Sequence, residues 1–181
     1  MDRVRRRGAT WLFATAASVY LADRFTKIWA ERRLPGDPIE VIDGVLTFRF
    51  ATNPGGAFSL GQNAPWFFAT VTLIVAVLVI VTAFRHTNAI TGLALGLVLG
   101  GALGNLTDRV TRGEWFSGHV VDFIDLQVWP VFNLADSAIV SGAGLLAVGS
   151  FLWDRRPGSG DPDRVDQAAA SDEHRAAADE R

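Results

Sequence analysis

Residues 65–84, PWFFATVTLIVAVLVIVTAF, contain no charged side chain. A helix rises about 1.5 Å per residue, so a run of this length reaches roughly 30 Å, the thickness of the hydrocarbon core of a bilayer. The run therefore predicts a transmembrane helix and indicates a membrane protein rather than a soluble domain.

Three further apolar runs accompany this one. Residues 89–106 are uncharged and rich in Gly, Leu and Ala, and residues 132–153 contain a single acid, Asp136. A fourth run begins at residues 8–22 and continues in helical register with charges added. We therefore predict an all-α membrane protein with four transmembrane helices.

The four runs define the expected organisation of the chain. Residues 1–153 form one membrane domain, with outer loops at about 31–64 and 107–131. Residues 154–181 consist mainly of Asp, Arg, Ala, Gly and Pro, with almost no large apolar side chain. That composition predicts a disordered cytoplasmic tail.

Arginines set the expected orientation. They lie before the first run, between the second and third, and after the fourth, and all of these positions fall on one side if the runs alternate. Basic residues near span ends favour the cytoplasm, so both termini are expected there. Arginines in the first outer loop count against this orientation. The first run also has features of a cleaved signal peptide, but its continuation in helical register favours an uncleaved span.

Residues 39–50, IEVIDGVLTFRF, differ from the helical runs. They combine β-branched and aromatic side chains with Asp-Gly at the centre, which is typical of a hairpin. We expect a small extracytoplasmic β-sheet or hairpin in the first outer loop.

Charged and polar residues at the ends of membrane spans are costly, which makes each a functional candidate. They fall into five stretches: DRFTK (23–27), NPGGAF (53–58), GGALGNLTDR (100–109), VVDFI (120–124) and FNLADSAI (132–139). Several have structural explanations as well. Asp23 and Lys27 are spaced as an i,i+4 ion pair, the glycines suit close helix packing, and Asp108 with Arg109 suits an interfacial ion pair. Asp125 is interpreted as a solvated loop acid.

Asp122 and Asp136 are harder to explain structurally. One lies in an apolar stretch and the other at the start of the fourth run, where an unpaired carboxylate would cost several kcal/mol. Two carboxylates about 3 Å apart share one proton. The charged one can then accept a proton from water while the neutral one donates to a carbonyl oxygen, which hydrolyses an amide without a covalent intermediate.

Other chemistries have weaker support. Ser117 with His119, or Ser137, could act as a nucleophilic site, but no serine has a GxSxG context and the chain has no cysteine. His119 with the two aspartates could bind a metal, but no HExxH or comparable spacing is present. We expect no metal and no cofactor.

The five stretches, in this order among four spans, resemble the lipoprotein signal peptidases (signal peptidase II). Any one motif is a weak signal, whereas five collinear motifs are specific. The resemblance covers residues 8–153 and implies a four-helix membrane fold with a small extracytoplasmic sheet.

The resemblance also implies function. Asp122 and Asp136 would be the catalytic dyad of an aspartic endopeptidase. The substrate would be a diacylglyceryl-modified prolipoprotein, cut just before its lipidated cysteine in the bacterial inner membrane. The partners expected are this substrate and membrane lipid, with no nucleic acid. Supporting or substrate-binding roles are implied for eight residues: Asp23, Lys27, Asn53, Gly55, Asn105, Arg109, Asn133 and Ala135. A proton-carrying transporter and a lipid-binding assembly protein are the competing classes.

Overall fold

The computed structural model describes residues 2–55, 65–83, 88–113 and 116–154. Four helices and three strands occur there, in the order α1 (Asp2–Arg33), β1 (Ile39–Ile42), β2 (Leu46–Asn53), α2 (Pro65–Ala83), α3 (Ala89–Thr111), β3 (Val120–Asp125) and α4 (Leu134–Asp154). The predicted apolar runs thus form helices, and α1 and α3 extend beyond them. The packing and the site described below lie in a compact unit over residues 1–146.

Among the described helices, two are long and apolar enough to cross a membrane, Ala89–Thr111 and Leu134–Leu152. The described part of α2, over Ala69–Ala83, is apolar but shorter.

Helices α1 and α3 pack with almost no space between their backbones. A Cβ atom added at Gly92, Gly96 or Gly100 would lie 2.2–2.6 Å from a backbone carbonyl oxygen of α1. These glycines are four residues apart and therefore share one face of α3. The prediction that Gly100 serves helix packing is confirmed, and Gly92 and Gly96, which were not predicted, serve the same contact, because any larger side chain on this face would force the helices apart.

The predicted hairpin is confirmed. Strands β1 and β2 pair antiparallel, and Gly44 takes a positive φ of 64° in the turn between them. The sequence did not predict the third strand. Residues of the second outer loop form β3, which pairs antiparallel with β2 and completes a sheet of order β1-β2-β3.

The sheet is anchored to the end of α1 by an apolar cluster that includes Ala30, Leu34, Val121 and Phe123. After β3 the chain turns back, and Phe132 pairs with Ile124 through reciprocal backbone hydrogen bonds of 2.8 and 3.1 Å. This return places the first turn of α4 directly beside β3.

Several sequence predictions fall on residues outside the described ranges. They are the glycine-rich segment from Gly56 onward, including the end of NPGGAF, the basic connection at Arg85, and the tail beyond Asp154.

Candidate active site

Helix α4 begins with a reciprocal cap formed by Asn133 and Asp136. The Asn133 side-chain oxygen accepts a hydrogen bond from the backbone N–H of Asp136 at 2.9 Å. The Asp136 carboxylate in turn accepts the backbone N–H of Asn133 at 3.3 Å. This is the arrangement of a capping box, which satisfies two helix-end donors and fixes both side chains. The spacing Asn-x-x-Asp in FNLAD is therefore a helix start as well as a candidate site.

The same asparagine reaches the second acid. Asn133 Nδ2 donates to Asp122 Oδ1 at 2.7 Å and is fully buried. Asp122 lies on β3 with 3% of its surface exposed. Asn133 thus contacts both carboxylates, one through its side-chain amide and the other through its backbone. The structure brings the two predicted acids to one place, and the residue between them is itself one of the predicted site residues.

Asp122 is held from the sheet side as well. In the register of β2 and β3, Ala51 lies opposite Asp122 and Asn53 lies opposite Val120. Asn53 hydrogen-bonds to the Asp122 carboxylate, while its own oxygen accepts the backbone N–H of Gly55 at 3.0 Å. The turn that follows β2 therefore fixes the orientation of the Asn53 amide.

Asp136 has a matching partner on α3. Asn105 Nδ2 donates to Asp136 Oδ1 at 2.8 Å. The oxygen of the same amide accepts hydrogen bonds from Lys27 Nζ at 2.8 Å and from Asn133 Nδ2 at 3.2 Å. Two donors on the oxygen leave the Asn105 amide only one orientation, with its NH₂ group towards Asp136.

The predicted pair Asp23–Lys27 is confirmed and has a second purpose. Both side chains are fully buried, and their charged atoms are 2.8 Å apart. The other Asp23 oxygen accepts the backbone N–H of Ala135 in the first turn of α4 at 3.0 Å. A Cβ at Gly104 would lie 2.4 Å from the Asp23 carboxylate, so glycine is needed for this contact. The pair therefore ties α1 to the start of α4.

Arg109 lies beside the acids. Its guanidinium donates to the carbonyl oxygens of Gly55 at 2.8 Å and Gly118 at 3.5 Å, which connects α3 to the turn after β2. The predicted pairing with Asp108 is replaced, because Asp108 contacts Arg24, Lys27 and Arg112. Asp125 also differs from its prediction as a solvated acid. It is 7% exposed at the end of β3 and forms an ion pair with Arg49.

A cavity of about 310 Å³ opens next to Asp136 and next to Asn53, the partner of Asp122. Its walls combine polar side chains with aromatic and aliphatic ones, including Asn53, Arg109, Trp129, Phe132, Asp136 and Val140. The sequence analysis did not single out Trp129, Phe132 or Val140. An apolar residue beside a motif gives no signal of its own, because the same residue types also fill ordinary cores.

Burial, and after it the nearby Asp136 carboxylate, raise the pKa of Asp122 to about 7, against the opposing effect of hydrogen bonds from Asn133 and Asn53. Near neutral pH a carboxyl group with this pKa can both accept and donate a proton, as hydrolysis of an amide requires.

The raised pKa of Asp122 also predicts a cost in stability. An acid whose pKa is higher in the folded state stabilises the fold below its unfolded pKa, and that contribution is lost as pH rises through the folded pKa of about 7. At pH 8 the penalty is on the order of 4 kcal/mol. We expect Asp122→Asn to raise the melting temperature in detergent at pH 8 and to lose this advantage towards pH 4. An equal change at both pH values would contradict the assignment.

Comparisons with known proteins identify the family of this chain. The profile of the family described as signal peptidase (SPase) II matches residues 15–152. A lipoprotein signal peptidase of Rhodococcus jostii (strain RHA1) is 44% identical over 139 residues, which cover 76% of this chain and 70% of that protein. One of Mycolicibacterium smegmatis (strain ATCC 700084 / mc(2)155) is 40% identical over 176 residues, covering 92% and 74%.

Solved structures are similar as well. A bacterial membrane enzyme determined by the in meso method at 2.3 Å resolution superposes with a TM-score of 0.71 and 28% identity, covering 82% of this chain and 92% of that one. A second, at 1.9 Å resolution, gives a TM-score of 0.65 and 30% identity, covering 75% and 89%. With the family profile spanning α1 to α4 and the relatives matching over most of their length, this chain belongs to the signal peptidase II family, whose members are aspartic proteases.

Proposed function

We propose that this chain removes signal peptides from diacylglyceryl-modified prolipoproteins by cutting the peptide bond before the lipidated cysteine, with Asp122 and Asp136 as its catalytic dyad. The observation that carries the proposal is the position of Asn133, which hydrogen-bonds to both carboxylates, one of which, Asp136, lies at the wall of a cavity. Family membership supplies the reaction, and this arrangement supplies a site that can perform it.

The proposed reaction uses one water molecule and the single proton of the acid pair. The ionised carboxylate takes a proton from water as its oxygen attacks the scissile carbonyl carbon, while the protonated carboxylate donates to the carbonyl oxygen. The tetrahedral diol then collapses. As its C–N bond breaks, one diol hydroxyl returns its proton to the ionised carboxylate and the protonated carboxylate donates its proton to the departing nitrogen, so the pair again holds one proton. We do not assign the two roles to individual acids, since they exchange protons during the cycle.

The neighbouring residues have supporting roles in this proposal. Asn53, Asn105 and Asn133 orient the carboxylates through amide donors, and Lys27 with Asp23 fixes Asn105 and the start of α4. Arg109 and Gly55 form part of the wall that faces a bound peptide.

We also propose a multi-pass arrangement in the bacterial inner membrane, with four spans, the sheet and the acids on the outer side, and both termini in the cytoplasm. Helices α3 and α4 are long and apolar enough for this role. Apolar α2 and the arginine-rich start of α1 support the remaining two spans and their direction. The membrane lipid itself is then a partner.

The direct test is cleavage of a synthetic lipidated prolipoprotein peptide by the purified protein in detergent, followed by mass spectrometry. We expect a single cut immediately before the lipidated cysteine. A transporter or a lipid-binding assembly protein would leave the peptide intact under the same conditions. An intact peptide would therefore refute the proposal.

The proposed chemistry requires no metal, because the sequence has no HExxH or comparable ligand spacing and two carboxylates suffice for the proton transfers. We expect cleavage to survive prolonged chelation by EDTA and to be unaffected by added Zn²⁺. Loss of activity on chelation with recovery in zinc would require His119 and the two aspartates to be reinterpreted as ligands.

A further inference from the structure

Six charged side chains form a connected cluster behind the acid pair, at the ends of α1 and α3. Three are acids and three are bases, so their formal charges cancel, and they are Asp23, Glu31, Asp108, Arg24, Lys27 and Arg112. Asp23, Lys27 and Asp108 are fully buried. Buried charges are costly unless paired, so each member depends on the others.

Asp108 is the centre of this cluster. One of its oxygens accepts hydrogen bonds from Arg24 at 2.5 Å and from Arg112 at 2.8 Å. The other lies 3.0 Å from Lys27 Nζ and accepts the backbone N–H of Val121 at 3.3 Å. Helices α1 and α3 and strand β3 therefore meet at one carboxylate.

The contact with β3 is made one residue before Asp122. The Val121 N–H is held by Asp108, and the Val121 carbonyl oxygen accepts a hydrogen bond from Asn133 Nδ2 at 3.3 Å. Both polar groups of this residue are thus bound, one from α3 and one from the start of α4. The backbone position of Asp122 follows from these two contacts.

The cluster also reaches Asp136. Lys27 contacts Asp108 on one side and donates to Asn105 on the other, and Asn105 donates to Asp136. The charged side chain of Arg109 on α3 also faces the acids. The ion pair of Arg49 with Asp125 lies at one end of the paired segment of β2 and β3, and Asn53 lies at the other end.

We propose that Asp108 is a positioning residue of this site, which fixes the strand that carries Asp122, and that the balanced charge around it sets the pH range in which the acid pair works. The inference rests on the proposed peptidase function. If the cluster were purely structural, its variants would change only the amount of folded protein. If it also acts through its charge, removing an acid and removing a base should move the pH profile of kcat/KM in opposite directions.

The test compares variants that remove opposite charges. Asp108→Asn and Glu31→Gln leave an extra positive charge behind the acids, which favours their ionised form and moves the profile of kcat/KM against pH to lower pH. Arg24→Gln and Arg112→Gln leave an extra negative charge and move it to higher pH. We expect shifts of about one pH unit for Asp108→Asn and the arginine variants, and a smaller one for Glu31→Gln, which contacts Arg112 rather than Asp108.

Matched controls come from the exposed ion pair of Arg33 with Asp37, whose side chains are 54% and 67% exposed. Arg33→Gln and Asp37→Asn make the same chemical changes in water and should leave the profile in place. Shifts of one sign for acids and bases alike, or shifts no larger than those of the controls, would overturn the inference.

The measurement separates two kinds of failure. If the wild-type protein does not cleave the lipidated peptide, the proposed function is wrong. If it does cleave and the profiles do not move in opposite directions, only the role of the cluster is wrong. Should Asp108→Asn fail to fold, as judged by melting in detergent, the partly exposed Glu31, Arg24 and Arg112 decide by the same criterion.

Discussion

Asp122→Asn and Asp136→Asn are each expected to abolish cleavage of a lipidated prolipoprotein peptide while leaving the protein folded. Loss of one general acid–base group costs about 10²- to 10⁴-fold in rate. Asparagine has nearly the size of aspartate and retains an oxygen for the Asn133 and Asn105 donors, so the local hydrogen bonds can persist. What it lacks is the ability to exchange a proton, and the rate therefore measures that function alone.

The double variant gives a sharper result. Because the two acids act as a unit, removing the second after the first should cost little more. The control is Asp37→Asn, an exposed acid in the loop after α1, which should cleave at the wild-type rate. The rates are to be measured by single-turnover cleavage at matched amounts of folded protein. Near-normal turnover of either single variant would remove that residue from the dyad.

The sequence predicted the helices because their signal is local. A run of about twenty uncharged apolar residues specifies a membrane-length helix without reference to the rest of the chain. The hairpin was predicted for the same reason, since Asp43-Gly44 between β-branched stretches encodes its own turn. In both cases, the information lies within one segment.

Strand β3 was missed because its signal is not local. In VVDFID the apolar pattern is interrupted by Asp122. The segment forms a strand because it pairs with β2, and the helices α2 and α3 separate the two strands in the sequence. The residue list of the site could be recognised from motifs, but the contacts within it could not. That Asp108 binds Arg24 and the Val121 N–H, rather than pairing with Arg109, follows only from the packing of α1, α3 and β3.

Asn133 shows the same difference between local and non-local information. FNLAD can be recognised in the sequence as a polar step at the start of a span, and the structure adds that Asn133 caps the helix and contacts the acid on the neighbouring strand. Helix capping is predictable from spacing, whereas the second contact requires the return of the chain through the Phe132–Ile124 bridge. The catalytic role of both acids stays a prediction that the variants above test.

The second large effect concerns the lipid of the substrate. The acids lie where β3 meets the first turn of α4, which places them at one end of an apolar helix rather than at its middle. In the proposed membrane arrangement, a peptide bond reaches them at the membrane surface. Two acyl chains anchor a substrate there, since each buried CH₂ contributes about 0.8 kcal/mol of membrane affinity.

The cavity beside the acids adds a possible contact for the lipidated residue, because Trp129, Phe132 and Val140 are apolar and adjoin Asp136. Recognition of even four methylenes by these side chains would contribute about 3 kcal/mol, or roughly a hundredfold in cleavage. We therefore expect the same peptide without its diacylglyceryl group to be cut more than about a hundredfold more slowly.

The comparison needs a substrate pair that differs in nothing else. Both peptides should retain the apolar signal segment, so that both enter the same detergent micelles, and both should be followed to saturation. Arg109→Ala should slow cleavage of the lipidated peptide without moving the cut, because Arg109 holds the Gly55 carbonyl at the cavity wall. Equal values of kcat/KM for the two peptides would show that the lipid is not recognised. The substrate assignment would then fall, while the dyad could stand on the results of its own variants.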